Sequence, residues 1–240
     1  MNLSVSGRAT SDKSKIMPFD ILTAKHVLCV VAHYDDEALF FGGTLDRLAT
    51  AGAKIAILVL TDVAFCNPPM TFDRKQCEMD RRNARLRAFQ NVCRKLNAVQ
   101  YHLLLPQGET LGPRDVAENL QKATAGVVEV MRRHKTQLVL THGPRGDHMA
   151  PKYADGRRVA RCQHILAHDA VRQAFAKLES PPPMLAWVDP VGPIVIPIFL
   201  AAKMDLLNYY HAGTTQESTW DFMANYPEWV THEECYSTSH

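Results

Sequence analysis

The sequence predicts an α/β fold, a mostly parallel central sheet covered on both faces by helices in a Rossmann-like three-layer sandwich. Three observations predict it. Short, near-continuous apolar runs recur along the chain, as strands buried on both faces require. Longer amphipathic stretches separate these runs and are long enough to serve as crossover helices between parallel strands. Glycine, proline and polar clusters mark off the segments.

The elements follow in order. After a polar lead-in, His26 to Ala32 is a β-branched apolar run and reads as the first buried strand. Asp35 to Ala51 places Ala38, Leu39, Leu45, Leu48 and Ala49 at helical spacing, and Gly52 stands where a C-cap belongs. Lys54 to Leu60 is a second buried strand. A charged helix from about Cys77 to Leu96, a strand at Val99 to Leu105, a helix from about Val116 to His134 and a strand at Gln137 to Thr141 repeat the alternation. A polar loop holding Gly143, Pro144, Gly146, Pro151 and Gly156 comes next. A helix from about Val159 to Leu178 follows, and Ser180-Pro-Pro-Pro183 breaks it. The strand Met184 to Val188 and an apolar stretch into Leu200 to Tyr210 complete the regular part. In such folds a site is expected beyond the C-terminal ends of the strands, where strand order reverses.

Composition narrows the function. With 27 basic and 25 acidic residues in 240, the net charge is only +2, which gives no field for nucleic acid or anionic membranes. Apolar runs such as Val27 to Ala32 and Ile55 to Leu60 are too short to cross a bilayer. The first twenty residues lack an apolar core of signal-peptide length, so a cytoplasmic location is expected. The six cysteines are scattered with no C-x-x-C pair, which argues against a thiolate zinc site or a disulfide scaffold and for buried thiols.

The chemistry concentrates after the first strand, in Ala32-His33-Tyr34-Asp35-Asp36-Glu37 with Gly42-Gly43 beyond. A histidine and adjacent carboxylates crowded at the end of an apolar strand repel and desolvate one another unless a cation offsets them. Imidazole and carboxylate are suitable partners for zinc, and three protein ligands with an open position make a catalytic site. The plainer alternative is a polar loop in which Asp35 or Asp36 caps a helix and Glu37 lies in its first turn. The spacing alone does not choose between them.

AHYDDEALFFGG resembles the AHxDDE signature of the LmbE-like (PIG-L) N-deacetylases, and other segments agree. Leu60-Thr61-Asp62 is similar to that family's T-D after the second strand. Arg81-Arg82-Asn83-Ala84 is similar to its R-x-E-A, with Asn83 in place of glutamate. Leu138 to His142 resembles the strand before its second metal motif, and Gln163-His164-Ile165-Leu166-Ala167-His168-Asp169-Ala170 resembles D-H-R-x-x-H-x-A. Val188-Asp189, Lys203 and Thr214-Thr215-Gln216 are similar to its C-terminal pattern. The likeness covers about residues 26 to 216. It implies one catalytic domain over 1–240, with 217–240 as a C-terminal extension.

The resemblance implies removal of an N-acyl group, usually acetyl, from an amino-sugar-containing small molecule, with zinc as cofactor. It assigns His33, Asp36 and His164 as metal ligands and Asp35 as general base, a sensible role for a carboxylate beside an activated water. The family's second motif reads H-x-D-H, whereas this chain reads Arg161-Cys162-Gln163-His164. Arg161 thus stands where an oxyanion-stabilising histidine is expected, and His148, in Gly146-Asp147-His148, or Arg161 itself can take that role. A non-sugar amide, or a degenerate member that binds without turnover, is the alternative reading.

Other residues carry two readings each. His168 lies one helical turn past His164, as a further ligand or, preferably, a supporting or core histidine. His142 follows a buried strand and borders the expected pocket as a substrate contact, or is a satisfied strand-end polar. Asp62 ends the second strand and contacts substrate or orients His33, or caps a helix or turn. Among Arg81, Arg82, Arg85 and Arg87 a solvated face is the default, with Arg82 as the residue to grip an anionic substrate group. The aromatic tail (Trp220, Phe222, Tyr226, Trp229, Tyr236) is expected to pack on the core, with a cleft or homo-oligomer contact as the alternatives. The partner that the resemblance implies is a small N-acylated substrate, with a homo-oligomer as the further alternative.

Overall fold

The computed structural model describes residues 21–61, 74–105, 115–145, 163–189, 192–211 and 233–239. Among them, five α-helices alternate with the strands of one sheet. The first half runs β1 (His26–Val31), α1 (Asp36–Thr50), β2 (Lys54–Thr61), α2 (Arg74–Lys95), β3 (Val99–Leu105) and α3 (Asp115–His134). The second half runs β4 (Leu138–Thr141), α4 (Gln163–Lys177), β5 (Met184–Val188), β6 (Ile194–Pro197), α5 (Leu200–His211) and β7 (Glu233–Ser239).

The strand order is β3-β2-β1-β4-β5-β7-β6. Strands β1 to β5 are parallel, with Val27 of β1 opposite Ile55 of β2 and Leu138 of β4. Strand β7 runs antiparallel to both β5 and β6. The chain builds outward from β1 through β2 to β3, then returns to place β4 on the other side of β1. Strand order therefore reverses between β1 and β4, and a crevice is expected beyond their C-terminal ends.

Alternate residues of β1 enter two cores, which explains why the run is apolar throughout. Val27, Cys29 and Val31 pack with α1, α2 and α5, through Leu45, Phe89 and Leu206 among others. Leu28 and Val30 pack with α3 and α4, through Val127, Met131 and Val171. The layers are thus α1, α2 and α5 on one face and α3 and α4 on the other. Helix α1 stops where expected: Gly52 takes φ +78°, a left-handed conformation open to glycine, and its N–H donates to the Ala49 carbonyl at 2.9 Å. Cys29 and Cys93 are buried free thiols, and burial pushes both well above the ordinary thiol range. No described helix is long and apolar enough to cross a membrane.

The expected strands and helices are present, most with ends moved by a few residues. The helix expected from about Val159 is described from Gln163 onward, and 146–162 lie outside the described residues. Strand β7 is an addition. It brings Tyr236 into the core, stacked on Phe41 at 6.2 Å between ring centroids. The other tail aromatics, Trp220, Phe222, Tyr226 and Trp229, lie outside the described residues.

The same strand fixes the helix that carries the first motif. Glu234 accepts hydrogen bonds from the N–H groups of Gly43 (3.0 Å) and Thr44 (2.8 Å) and from the Tyr236 hydroxyl (3.0 Å). Its charge is met by Lys203 Nζ at 2.8 Å, and both side chains are buried. A buried charge needs such a partner and saturated hydrogen bonding. Gly42 and Gly43 let α5 and its preceding turn come this close. A Cβ at Gly43 would lie 2.4–2.6 Å from Ile198 side-chain atoms. Gly43→Ala should therefore cost about 1–3 kcal/mol by overpacking. Thermal unfolding would register this as a lowered Tm, and an unchanged Tm would mean the Ile198 contact yields freely.

Candidate metal centre

Three donor atoms converge beyond the end of β1. His33 follows the strand directly, Asp36 opens α1, and His164 is the second residue of α4, reaching in from the other core. His33 Nδ1 lies 3.3 Å from Asp36 Oδ2 and 3.2 Å from His164 Nε2, and the third side, His164 Nε2 to Asp36 Oδ2, is 3.5 Å. These three residues form a group able to hold a metal ion among the described residues. Zinc bonds of about 2.0–2.1 Å at tetrahedral angles place ligand atoms about 3.3 Å apart, so the triangle has the size of one face of a zinc tetrahedron. Hydrogen bonding alone accounts poorly for it, because two imidazole nitrogens and a carboxylate oxygen cannot all satisfy one another with the protons available. The donor set and the spacing both fit zinc.

Neighbouring groups fix each ligand. The backbone N–H of His33 donates to Asp36 Oδ2 at 2.8 Å, closing the turn between strand and helix. The other ring nitrogen of His33, Nε2, is hydrogen-bonded to Gln163 Oε1. The ring of His164 stacks on His142, with centroids 4.1 Å apart and planes 16° apart, and stands edge-on to Phe40. His142 Nε2 is 3.2 Å from Asp36 Oδ2 and also 3.2 Å from the Ala32 backbone N–H. The side chain of His33 remains 16% exposed, against 4% for Asp36 and 0% for His142. The cluster therefore opens to solvent past His33, with His142 enclosed behind Asp36.

The carboxylates of the motif do not behave as helix caps. Asp35 occupies the N-cap position of α1 but makes no capping hydrogen bond. It has φ +106°, a strained conformation for a non-glycine residue that costs on the order of 1–3 kcal/mol. Its Oδ2 instead meets Arg85 Nη2 of α2 at 3.1 Å. Burial pushes the Asp35 carboxyl up to about 6, against the downward pull of Arg85. Burial would raise Asp36 as well, but His164, His33 and His142 outweigh it and hold Asp36 well below the usual carboxylate range. Glu37 is fully buried, hydrogen-bonded by the Tyr210 hydroxyl and by the Asp35 N–H at 3.2 Å, and burial pushes it to about 8. A neutral Glu37 leaves two carboxylates, in different surroundings, available for chemistry.

The structure thus brings together His33, Asp35, Asp36, His142 and His164. His168 is buried one turn along α4, its Nδ1 paired with the His142 carbonyl at 2.9 Å and its ring edge-on to Trp187. That is the supporting role preferred from the sequence. Asp62, His148 and Arg161 lie outside the described residues, and Arg82 lies on α2 with its side chain outside them. One default is corrected: Arg85 is not part of a solvated face, since only 19% of its side chain is exposed and it pairs with Asp35. Arg85, Gln163 and Tyr210 were all missed in sequence. Gln163 had a signal, its position directly before His164; for Arg85 and Tyr210 nothing local distinguishes them from their helices.

Comparisons with known proteins bear on the family and the fold. A family model described as PIG-L, GlcNAc-PI de-N-acetylase, matches residues 28–175, a span that holds the whole cluster. A 1D-myo-inositol 2-acetamido-2-deoxy-alpha-D-glucopyranoside deacetylase from Streptomyces griseus is 28% identical over 166 residues, 62% of this chain and 51% of that protein. The chain thus spans about half the length of this curated relative. Among solved structures, the N,N'-diacetylchitobiose deacetylase of Pyrococcus horikoshii superposes with a TM-score of 0.62 at 18% identity, over 90% of this chain and 84% of that one. Teicoplanin deacetylase in a zinc-inhibited form gives 0.61 at 13%, over 88% and 97%. A 4-carboxy-2-hydroxymuconate hydratase from Pseudomonas putida gives 0.59 at 14%, over 90% and 96%. At these identities the likeness establishes the fold, and the hydratase shows that one fold hosts more than one reaction.

Proposed function

Because the match over residues 28–175 places the chain in the PIG-L family of de-N-acetylases, we propose that it is a zinc-dependent hydrolase that removes an N-acyl group, by family habit acetyl, from an amino-sugar-containing small molecule. The observation that supports this best is the near-equilateral triangle of His33 Nδ1, Asp36 Oδ2 and His164 Nε2. A bound zinc ion would supply polarisation of the acyl carbonyl and a water of lowered pKa.

The protein's own groups do the rest. Asp35 stands one residue from the ligand Asp36, uncommitted to the helix and ionised at neutral pH, so it accepts the proton of the attacking water. It then returns that proton to the leaving amine nitrogen. Arg85 holds its Oδ2 in place. His142, fully enclosed, acts through Asp36. The developing oxyanion falls to His148 or Arg161 in place of the absent motif histidine, with Asp62 as a substrate contact and Arg82 as the grip on an anionic substrate group in this reading.

The test is acetate release from N-acetylglucosaminyl inositol and from N,N'-diacetylchitobiose by the purified chain. Zinc-loaded protein should release acetate, a chelator should stop it, and added zinc should restore it. Sugar binding without release would establish the degenerate reading prompted by Arg161. Hydrolysis confined to non-sugar acyl amides would keep the machinery and change the substrate.

A further inference from the structure

The three-atom cluster requires His33 to present a lone pair at Nδ1, and nothing in the cluster itself ensures this. A neutral imidazole carries its proton on one nitrogen, and the partner of the other nitrogen decides which. For His33 that partner is the side-chain amide of Gln163, through Oε1. With Oε1 as acceptor, Nε2 must carry the proton and Nδ1 is left bare, 3.3 Å from Asp36 Oδ2 and 3.2 Å from His164 Nε2. Gln163 and His164 are the first two residues of α4. One helix end therefore supplies a donor atom to the cluster and orients a second donor that comes from β1.

We propose that Gln163 is the positioning residue for His33, holding the ring in the Nε2–H tautomer so that its Nδ1 faces the ion. The consequence for zinc rests on the reading above, but the hydrogen bond does not. The related second motif carries aspartate at this place, where this chain has glutamine. An amide accepts the same proton as a carboxylate but adds no charge. Gln163 thus acts on His33 by geometry, and an acceptor of either charge should serve.

Two variants and two readouts test this on the full-length protein. Gln163→Leu keeps the bulk and removes the acceptor; Gln163→Glu keeps an acceptor and adds charge. Zinc affinity is read by competition with a chromophoric chelator, and the His33 tautomer in metal-free protein by the ¹⁵N shifts of its ring. Gln163→Leu should weaken zinc binding about 10–100-fold, the usual effect of losing such a partner. It should also shift the proton on His33 away from Nε2. Gln163→Glu should stay within a few-fold of wild type in affinity and keep the tautomer. Unchanged affinity and tautomer in Gln163→Leu would overturn the proposal, as would equal loss of affinity in Gln163→Glu. A wild type that takes up no zinc, but whose His33 tautomer still moves in Gln163→Leu, would uphold Gln163 as the positioning residue and overturn the zinc reading instead.

Discussion

Replacing His164 with alanine is expected to leave the protein folded and without zinc, and to reduce deacetylation to the uncatalysed background. The wild type should carry about one zinc per chain by elemental analysis. His164 gives one vertex of the triangle, and His33 and Asp36 alone are too few ligands to retain the ion at a three-ligand catalytic site. The fold should tolerate the loss. The His164 ring stacks on His142 and stands edge-on to Phe40, a member of the core under α1, so its removal trims one contact of that core. His168→Ala is the control with the opposite signature. Its ring is buried against Trp187 and holds the His142 carbonyl, so its removal should cost a few kcal/mol of stability while zinc stays bound. If zinc leaves with His168 and stays with alanine at 164, the ligand sits one helical turn further along and the triangle is misread.

The sheet and its covering helices were legible because parallel strands buried on both faces must be apolar at every position. β1, β2 and β4 announce themselves this way. β7 does not. Its sequence EECYSTS turns Glu234 and Tyr236 inward at period two, and a glutamate facing the core reads as surface until Lys203, 31 residues earlier, is seen beside it. The strand also runs antiparallel at the far side of the sheet, where the βαβ rhythm gives no guidance. The candidate metal site divides in the same way. His33 and Asp36 lie within four residues of one another, so a local motif reports them. His164 is 131 residues from His33 and was reachable only through the family pattern. The residues that tune the site are hard to read in sequence for a physical reason: Arg85 on Asp35, Tyr210 on Glu37 and Gln163 on His33 are pairings across the fold, and of the three only Gln163 stands beside a motif residue. Nothing about an arginine in an arginine-rich helix marks the one that turns inward.

Asp35→Asn should separate catalysis from metal binding more sharply than any other substitution. The variant should keep its zinc and lose about 10²–10⁴ in kcat, the range for removal of a general base. The change is close to isosteric, and the backbone favours it. Asp35 sits at φ +106°, and asparagine is among the few non-glycine residues that readily adopt positive φ. The amide oxygen can still accept from Arg85, so α2 keeps its contact with the loop. Neutralising the side chain removes the burial cost that pushes Asp35 up, the largest influence on it, and the repulsion from Asp36, which together outweigh the lost attraction of Arg85. The Tm should therefore hold or rise while turnover collapses. That combination excludes misfolding and metal loss as the cause and leaves the missing proton acceptor. Metal content and Tm at wild-type values with turnover also at wild type would remove Asp35 from the mechanism and direct the search for the base to His148.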